Sequence, residues 1–252
     1  MISVLNFYLS LDQELITMNH QHLKNIALGI GLSFSSFVSA QTYTLKFKTN
    51  YGKFDVMLYD FTPKHRDLIL SEINKGTYTN AQFNRVVKNF VIQGGELDDP
   101  ILAREDEHPE QKPIRLAPEF NPKAFHKMGA LGAGRDDNKE KGSYYNQLYF
   151  VVGKIITAKE LDDLEIKKGI KYTAEQRAEY LKNGGLPRLD HDYTVFGEIT
   201  KGLDNAIKIS EVEAQNELPL KPVIFSIKVK KKKTPSTYNK TSISLGGTAI
   251  GF

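Results

Sequence analysis

Apolar and polar residues alternate along two neighbouring segments in the first quarter of the chain. In residues 42–48, Tyr43, Leu45 and Phe47 share one side, while threonine and lysine residues share the other. A second alternating run occupies residues 54–59, after a turn at residues 50–52. A period of two is typical of half-buried strands, and two such runs joined by a short turn predict an antiparallel hairpin.

A helix is predicted over residues 62–76. Thr62 is a capping residue type, Pro63 suits a first helical position, and Gly76 can end the helix. The apolar residues expected to face the core are Leu68, Leu70 and Ile73. The polar segment 96–112 contains or borders three prolines and is predicted to be an extended loop.

The second half of the chain contains further strands and a helical insert. Leu131, residues 148–152 and the apolar runs at 193–199 and 223–229 have strand character. Between them, residues 157–185 carry two Thr-x-x-Glu/Gln patterns, TAKE and TAEQ, each of which predicts a helix start. Many short strands, few helices and no alternation of strand and helix predict a β-barrel or β-sandwich with peripheral helices.

Composition narrows the classes of function. The chain has 252 residues, of which 40% are hydrophobic and 25% charged, with a net charge of +4. This charge indicates neither a nucleic-acid partner nor a membrane surface. The absence of cysteine excludes disulfides, thiolate metal sites and thiol catalysis. No cofactor is predicted. The candidate metal ligands have a spacing that matches no compact ligand motif, so no metal site is predicted either; they are His108, His126, Asp190, His191 and Asp192.

The first forty residues have the layout of a secretory signal. From Met18, two histidines and Lys24 precede an apolar run at residues 26–38, which small residues close at Ala40. The run is too short for a comfortable membrane span, although a buried helix at the edge of the domain is the alternative. We predict cleavage after Ala40, export to the periplasm, and a mature chain with no integral membrane span.

Two ordered motifs carry a family resemblance. The segment FNRVVKNFVIQGG (residues 83–95) and the later LDHDYTVFGEI (residues 189–199) resemble the cyclophilin family of peptidyl-prolyl isomerases. The resemblance covers residues 42–231, and residues 41–231 are the expected domain. It implies a mainly β fold, a closed eight-stranded antiparallel barrel capped by two helices, here with the extra helical insert 157–185. Residues 232–252 form a basic tail.

The resemblance also assigns roles to individual positions. Arg85 matches the family's catalytic arginine, and Gln93 matches the glutamine that supports it. The proline pocket is expected to comprise Phe90, Val91, Tyr149, Leu189 and Tyr193. Substrate-backbone contacts are expected from Gln147, Gly134 and Arg135. Four positions depart from the common pattern: Gly134 and Arg135 replace alanine and asparagine, Arg188 occupies a position that is tryptophan in some members, and Asn146 breaks the usual GSQ triplet.

These residues predict a prolyl isomerase that assists the folding of exported proteins. An arginine beside an apolar pocket suits the stabilisation of a twisted X-Pro amide. The expected partners are proline-containing polypeptides, and we expect a monomer. The alternative is a cyclophilin-like binding module or chaperone with weak or no isomerase activity, which the departures at Arg135, Arg188 and Asn146 favour. Taken without its motif, Arg85 is better explained as a half-buried arginine that pairs with a nearby acid, and the motif reverses that preference.

Overall fold

The alternating segments pair as the sequence predicts. In the computed structural model, which describes residues 43–96, 98–111 and 113–231, Tyr43–Thr49 and Gly52–Leu58 form an antiparallel hairpin. The predicted signal segment 1–40 and the tail 232–252 lie outside the described residues. The hairpin supplies the first two strands of a larger sheet.

The described residues form ten strands: β1 Tyr43–Thr49, β2 Gly52–Leu58, β3 Ala81–Val87, β4 Val91–Gly94, β5 Ala130–Ala133, β6 Leu148–Val151, β7 Val195–Lys201, β8 Ala214–Gln215, β9 Leu218–Pro219 and β10 Val223–Lys231. Eight of them close into an antiparallel barrel in the order β1-β10-β3-β4-β6-β5-β7-β2. The short pair β8 and β9 forms a separate hairpin. Closure leaves the barrel strands without free edges, and the predicted fold class is confirmed.

The interior of the barrel is filled by aromatic rings. Phe47 and Phe54 stack with their ring centroids 4.8 Å apart, and the ring of Phe150 meets that of Phe47 edge-on at 5.1 Å. Phe83 and Phe225 stack at 4.4 Å, and all five rings are at most 1% exposed. Because the interior is packed solid, a ligand must bind on the outer surface of the sheet.

Five α-helices surround the barrel within the described residues. They are α1 Pro63–Lys75, α2 Asp98–Asp106, α3 Ala158–Lys168, α4 Ala174–Asn183 and α5 Leu203–Ser210, and a 3₁₀ turn covers Pro187–Leu189. Ile69 of α1 and Ile209 of α5 belong to the barrel's hydrophobic core, so these are the two predicted covering helices. None of the helices in the described part of the chain is long and apolar enough to cross a membrane.

Helix α1 begins differently from its prediction. The side chain of Thr62 caps no backbone amide; it donates a hydrogen bond to the Tyr59 carbonyl instead. Glu119 accepts hydrogen bonds from the backbone N–H groups of Lys64 and His65, at 3.0 and 2.9 Å, and so takes the place of the cap. Of the predicted core face, Leu70 and Ile73 pack partly buried against the core, but the prediction missed the fully buried residues of α1, which are His65, Ile69 and Glu72.

The segment predicted as an extended loop contains helix α2. Pro100 is the third residue of this helix, where a missing N–H group breaks no intrahelical hydrogen bond, so its presence does not oppose the helix. The insert agrees with its prediction. Thr157 with Glu160, and Thr173 with Gln176, form complete capping boxes at the starts of α3 and α4, and Gly184 follows α4.

Candidate active site

Strand parity separates the core from the candidate site. Ile92 and Phe150 point into the barrel and are completely buried within its core. Their neighbours Val91 and Tyr149 therefore face outwards and join a second apolar cluster on the outer surface. On the same surface, Gln93 lies opposite Tyr149 in the β4–β6 register.

Arg85 reaches this outer surface because strand β3 is irregular. Phe83 packs in the core although it lies only two residues before Arg85, and the β3–β4 register shifts between these two positions. Such a bulge changes which way the following side chains point. Arg85 is thus paired directly with Gln93 across the ladder. The two side chains therefore share the outer face of the sheet.

A single cavity of about 720 Å³ brings together all ten residues proposed from the family resemblance. It is lined by Arg85, Phe90, Val91, Gln93, Gly134, Arg135, Gln147, Tyr149, Leu189 and Tyr193. We call this cavity the main cleft. Six further residues line it that the sequence did not assign to a site: Asn84, Asp99, Arg188, Asn216, Glu217 and Leu218.

The Arg85 guanidinium is held from two sides. Its Nε donates to Glu217 Oε2 at 2.6 Å, and one terminal nitrogen donates to Gln93 Oε1 at 3.3 Å. Its carbon lies 5.5 Å from the centre of the Phe90 ring. The remaining N–H groups have no hydrogen-bond partner among the described residues. The side chains of Arg85 and Glu217 are 33% and 48% exposed, so the pair is a partly solvated one of modest strength.

Glu217 comes from the β8–β9 hairpin, 132 residues further along the chain. Asn216 and Glu217 form its two-residue turn, with φ of 51° and 67°. Both residues lie in the left-handed region that such turns require, which is usual for asparagine and uncommon for glutamate. The carbonyl of Glu217 accepts a hydrogen bond from the Val86 N–H at 2.8 Å, which fixes the hairpin beside strand β3.

Apolar side chains form one wall of the main cleft. Val91, Tyr149 and Leu189 are at most 7% exposed, and Phe90 and Tyr193 pack against them partly buried. The rings of Tyr149 and Tyr193 meet edge-on at 6.1 Å. This wall has the size and character to hold a small apolar ring while the polar side holds Arg85 and Gln93.

A buried chain of hydrogen bonds supports Tyr149 from behind. Its hydroxyl lies 2.8 Å from His126 Nε2, and His126 Nδ1 lies 2.7 Å from Asp190 Oδ1. Asp190 also accepts from the hydroxyl of Tyr180 in α4, at 2.5 Å. All four residues are at most 4% exposed. Burial raises the pKa of both tyrosine hydroxyls well above 10, so both stay neutral at physiological pH. The network links the cleft to the helical insert.

The substrate-positioning candidates are already engaged with neighbouring backbone. A side chain at Gly134 would overlap the Gln147 amide, whose Nε2 donates to the Glu96 carbonyl at 3.0 Å. Arg135 donates through Nε to the Asp192 carbonyl at 2.7 Å, and its guanidinium carbon lies 4.6 Å from the centre of the Tyr193 ring. Gly134 and Arg135 therefore shape the side of the main cleft, and the Arg135 guanidinium donates its hydrogen bonds to backbone carbonyls of the protein.

Comparison with known proteins assigns the chain to a family. The sequence model of the family described as cyclophilin type peptidyl-prolyl cis-trans isomerase/CLD matches residues 44–229. The chain belongs to the cyclophilin-type peptidyl-prolyl cis-trans isomerases. The predicted enzyme class is therefore confirmed. This cyclophilin also agrees in fold with a solved Cryptosporidium parvum cyclophilin type isomerase, with a TM-score of 0.53 and 18% identity over 76% of this chain and 99% of that one.

Two bacterial relatives set the scale of the sequence similarity. A Staphylococcus haemolyticus protein assigned as a peptidyl-prolyl cis-trans isomerase is 29% identical over 189 residues, which are 73% of this chain and 89% of that protein. A Streptococcus pyogenes protein assigned as a bifunctional phosphatase and isomerase is 30% identical over 155 residues, 60% of this chain. The cyclophilin described here spans only 30% of that longer relative.

Arg188 is the departure with the clearest structural consequence in this cyclophilin. It lies in the 3₁₀ turn that also carries Leu189 of the pocket wall. Its side chain is exposed, and its guanidinium carbon lies 4.4 Å from the centre of the Phe90 ring. Phe90 therefore contacts two arginines, Arg85 and Arg188. Arg188 makes no hydrogen bond or ion pair within the described residues.

Proposed function

We propose that Arg85 catalyses prolyl isomerisation by donating a hydrogen bond to the prolyl nitrogen of a twisted amide. Rotation about a peptide bond costs about 18–20 kcal/mol, because resonance is lost at the halfway point. At that point the nitrogen lone pair is no longer delocalised and accepts a hydrogen bond. A group that binds this state better than either planar form accelerates rotation in both directions.

The contacts of Arg85 support this role. A guanidinium is permanently charged and has five N–H donors, of which Glu217 and Gln93 occupy two. Donors therefore remain for a substrate without breaking either anchor. Gln93 keeps its amide NH₂ group for a substrate carbonyl while its Oε1 holds the arginine. The single observation that carries the proposal is this anchored guanidinium lining the same cleft as the apolar wall.

The apolar wall supplies the second part of the mechanism. Phe90, Val91, Tyr149, Leu189 and Tyr193 hold the pyrrolidine ring and displace water from the neighbourhood of the amide. A hydrogen bond to a charged donor is stronger where water is excluded. Gln147 and the backbone at Gly134 orient the residue before proline. No bond to carbon is made or broken, so the site needs neither nucleophile nor metal.

The test of this mechanism is the turnover of a short X-Pro peptide in a protease-coupled assay. Replacing Arg85 with alanine removes one preorganised donor and is expected to lower kcat/KM about 10²–10³-fold. Arg177→Ala is the matched control, since Arg177 pairs with Asp162 on the insert, away from the main cleft. Undiminished turnover by the Arg85 variant refutes the role of this arginine.

The alternative is a binding module with weak turnover. The Arg85–Glu217 ion pair favours it, because a carboxylate competes with a substrate for the guanidinium. The same assay decides between the two: wild-type turnover near that of the control without enzyme, together with measurable peptide binding, supports the binding module.

We place this activity in the folding of exported proteins. The signal-like layout of residues 1–40 supports export, and slow X-Pro isomerisation limits the folding of many chains. The mature enzyme then comprises the domain 41–231 and the tail 232–252. Mass spectrometry of the protein recovered outside the cytoplasm tests this proposal: a mature chain beginning at Gln41 supports it, and an uncleaved cytoplasmic chain contradicts it.

A further inference from the structure

A second cavity of about 710 Å³ adjoins the main cleft. We call it the insert groove, because much of its lining belongs to the helical insert and its flanks. Its lining residues are Arg85, Val87, Asn89, Phe90, Lys154, Ile156, Glu160, Asp163, Leu164, Gly185, Leu186, Pro187, Arg188 and Glu217. The residues that the insert contributes to this groove have no part in the proposed isomerisation mechanism.

The two cavities share a wall of four residues, Arg85, Phe90, Arg188 and Glu217. Both guanidiniums contact the Phe90 ring, with the carbon of Arg85 5.5 Å and that of Arg188 4.4 Å from its centre. A polypeptide whose proline packs against Phe90 in the main cleft has only this wall to cross before it enters the insert groove. Continuity of the two cavities therefore identifies the occupant as the same polypeptide chain.

The floor of the insert groove is apolar. Ile156 and Leu186 are each 6% exposed, and Leu164 of α3 lies half-buried beside them. Helix α3 is held in place by its capping box at Thr157 and by the Lys168 ammonium, which donates to the Asp190 carbonyl at 2.6 Å. A preformed apolar floor binds an apolar side chain with little ordering cost.

The charges around the groove are paired, with one exception. Lys154 bonds Glu160 at 3.0 Å, and Lys159 bonds Asp163 at 2.7 Å. Arg85 and Glu217 pair with each other, as described above. Of the charged residues that line the groove, Arg188 alone lacks a hydrogen-bonding or ionic partner in the described part of the chain. The groove therefore presents one uncompensated positive charge beside an apolar floor.

We propose that the insert groove is an extension subsite for the polypeptide that flanks the isomerised proline, and that it selects an apolar residue next to an acidic one. The acidic side chain pairs with Arg188, and the apolar side chain covers Leu164 and Ile156. This inference rests on the proposed function of the main cleft. It makes two residues determine specificity: Arg188, which departs from the family pattern beside the pocket wall, and Leu164, which lies on the insert helix α3.

Seven substrate peptides test the subsite. One short X-Pro peptide occupies only the main cleft. Two sets of three longer peptides, one set extended on each side of the proline, add leucine-glutamate, leucine-lysine or serine-glutamate. In at least one set, the leucine-glutamate peptide is expected to exceed the leucine-lysine peptide in kcat/KM by up to about fivefold, the range of an exposed charge pair. This preference is expected to decrease as salt is raised.

Charge exchange at Arg188 gives the decisive comparison. The ratio of glutamate to lysine peptide is expected to approach one in Arg188→Gln and to invert in Arg188→Glu. For the floor, Leu164→Ala is expected to reduce the advantage of leucine over serine about fourfold, the equivalent of one buried methylene group. Ile166→Ala is its control, because Ile166 lies on the same helix and is 81% exposed.

The outcomes separate the two proposals. If the short peptide is not turned over at all, the proposed function of the main cleft fails. If the short peptide is turned over but the glutamate and lysine peptides are equal in both sets, only the extension subsite fails. The subsite also fails if the preference persists unchanged in Arg188→Glu.

Discussion

Replacing Tyr149 with phenylalanine tests whether the buried hydrogen-bond chain supports the proline pocket. The substitution keeps the aromatic ring and removes only the hydroxyl, which lies 2.8 Å from His126 Nε2. His126 is 1% exposed, so water does not replace the lost partner. A buried polar group left without a partner costs about 1–3 kcal/mol.

This cost translates into a measurable melting shift. For a domain of this size, 1 kcal/mol corresponds to about 2–4 °C, so Tyr149→Phe is expected to lower the Tm by roughly 2–12 °C. Differential scanning calorimetry of the purified protein at neutral pH is the assay. Tyr149 and Tyr180, the two tyrosines of the buried chain, keep their hydroxyl protons at that pH, because burial raises their pKa values well above 10.

Tyr193→Phe is the matched control. Tyr193 lines the same cleft and packs edge-on against Tyr149 at 6.1 Å, but its hydroxyl has no hydrogen-bond partner in the described part of the chain. Its loss is expected to shift the Tm by less than about 2 °C. Equal Tm shifts in the two variants refute the reasoning. Removing a hydroxyl from the buried hydrogen-bond chain would then cost no more stability than removing one outside it.

Three further predictions concern the anchor, the core histidine and the insert. Glu217→Gln keeps an acceptor for Arg85 but loses its charge, so kcat/KM on a short X-Pro peptide is expected to fall less than about fivefold; a rise would show that Glu217 competes with the substrate. Burial lowers the folded-state pKa of His65 below 6.5, so the unfolded chain binds more protons below that pH. Urea unfolding is therefore expected to show stability declining as pH falls below about 6.5, with a weaker decline in His65→Gln; identical pH slopes contradict this. Thr157→Ala removes the cap that bonds the Glu160 N–H and is expected to cost about 1 kcal/mol in the same assay, whereas an unchanged urea midpoint argues against the capping role.

Local patterns predicted the local structure well. The alternation of residues 42–48 and 54–59 marked the first hairpin because pleating places every second side chain on the same face. The capping boxes at Thr157 and Thr173 marked both insert helices because their partners lie three residues away. The ten residues assigned through the family resemblance line one cleft, while their roles in catalysis and binding stay proposals.

Long-range contacts were not predictable in the same way. Glu119 caps α1 from 55 residues away, and Glu217 reaches Arg85 from 132 residues away, so neither contact leaves a local pattern. The turn at Asn216 gave one weak signal, because asparagine tolerates the left-handed region that a two-residue turn requires. The prediction missed helix α2 because the three prolines in and beside residues 96–112 were taken to indicate a loop. Pro100, however, lies in the first turn, where a helix tolerates proline.

Exchange NMR on a peptide with one X-Pro bond isolates the contribution of Arg85, because it measures rotation at the amide without a coupling protease. Titration on the same samples measures binding separately. We predict that Arg85→Ala binds the peptide through the intact apolar wall but slows cis–trans exchange about 10²–10³-fold, with Arg85→Lys in between. Exchange at the wild-type rate in Arg85→Ala, with binding retained, would show that the guanidinium beside the cleft is not what stabilises the twisted amide.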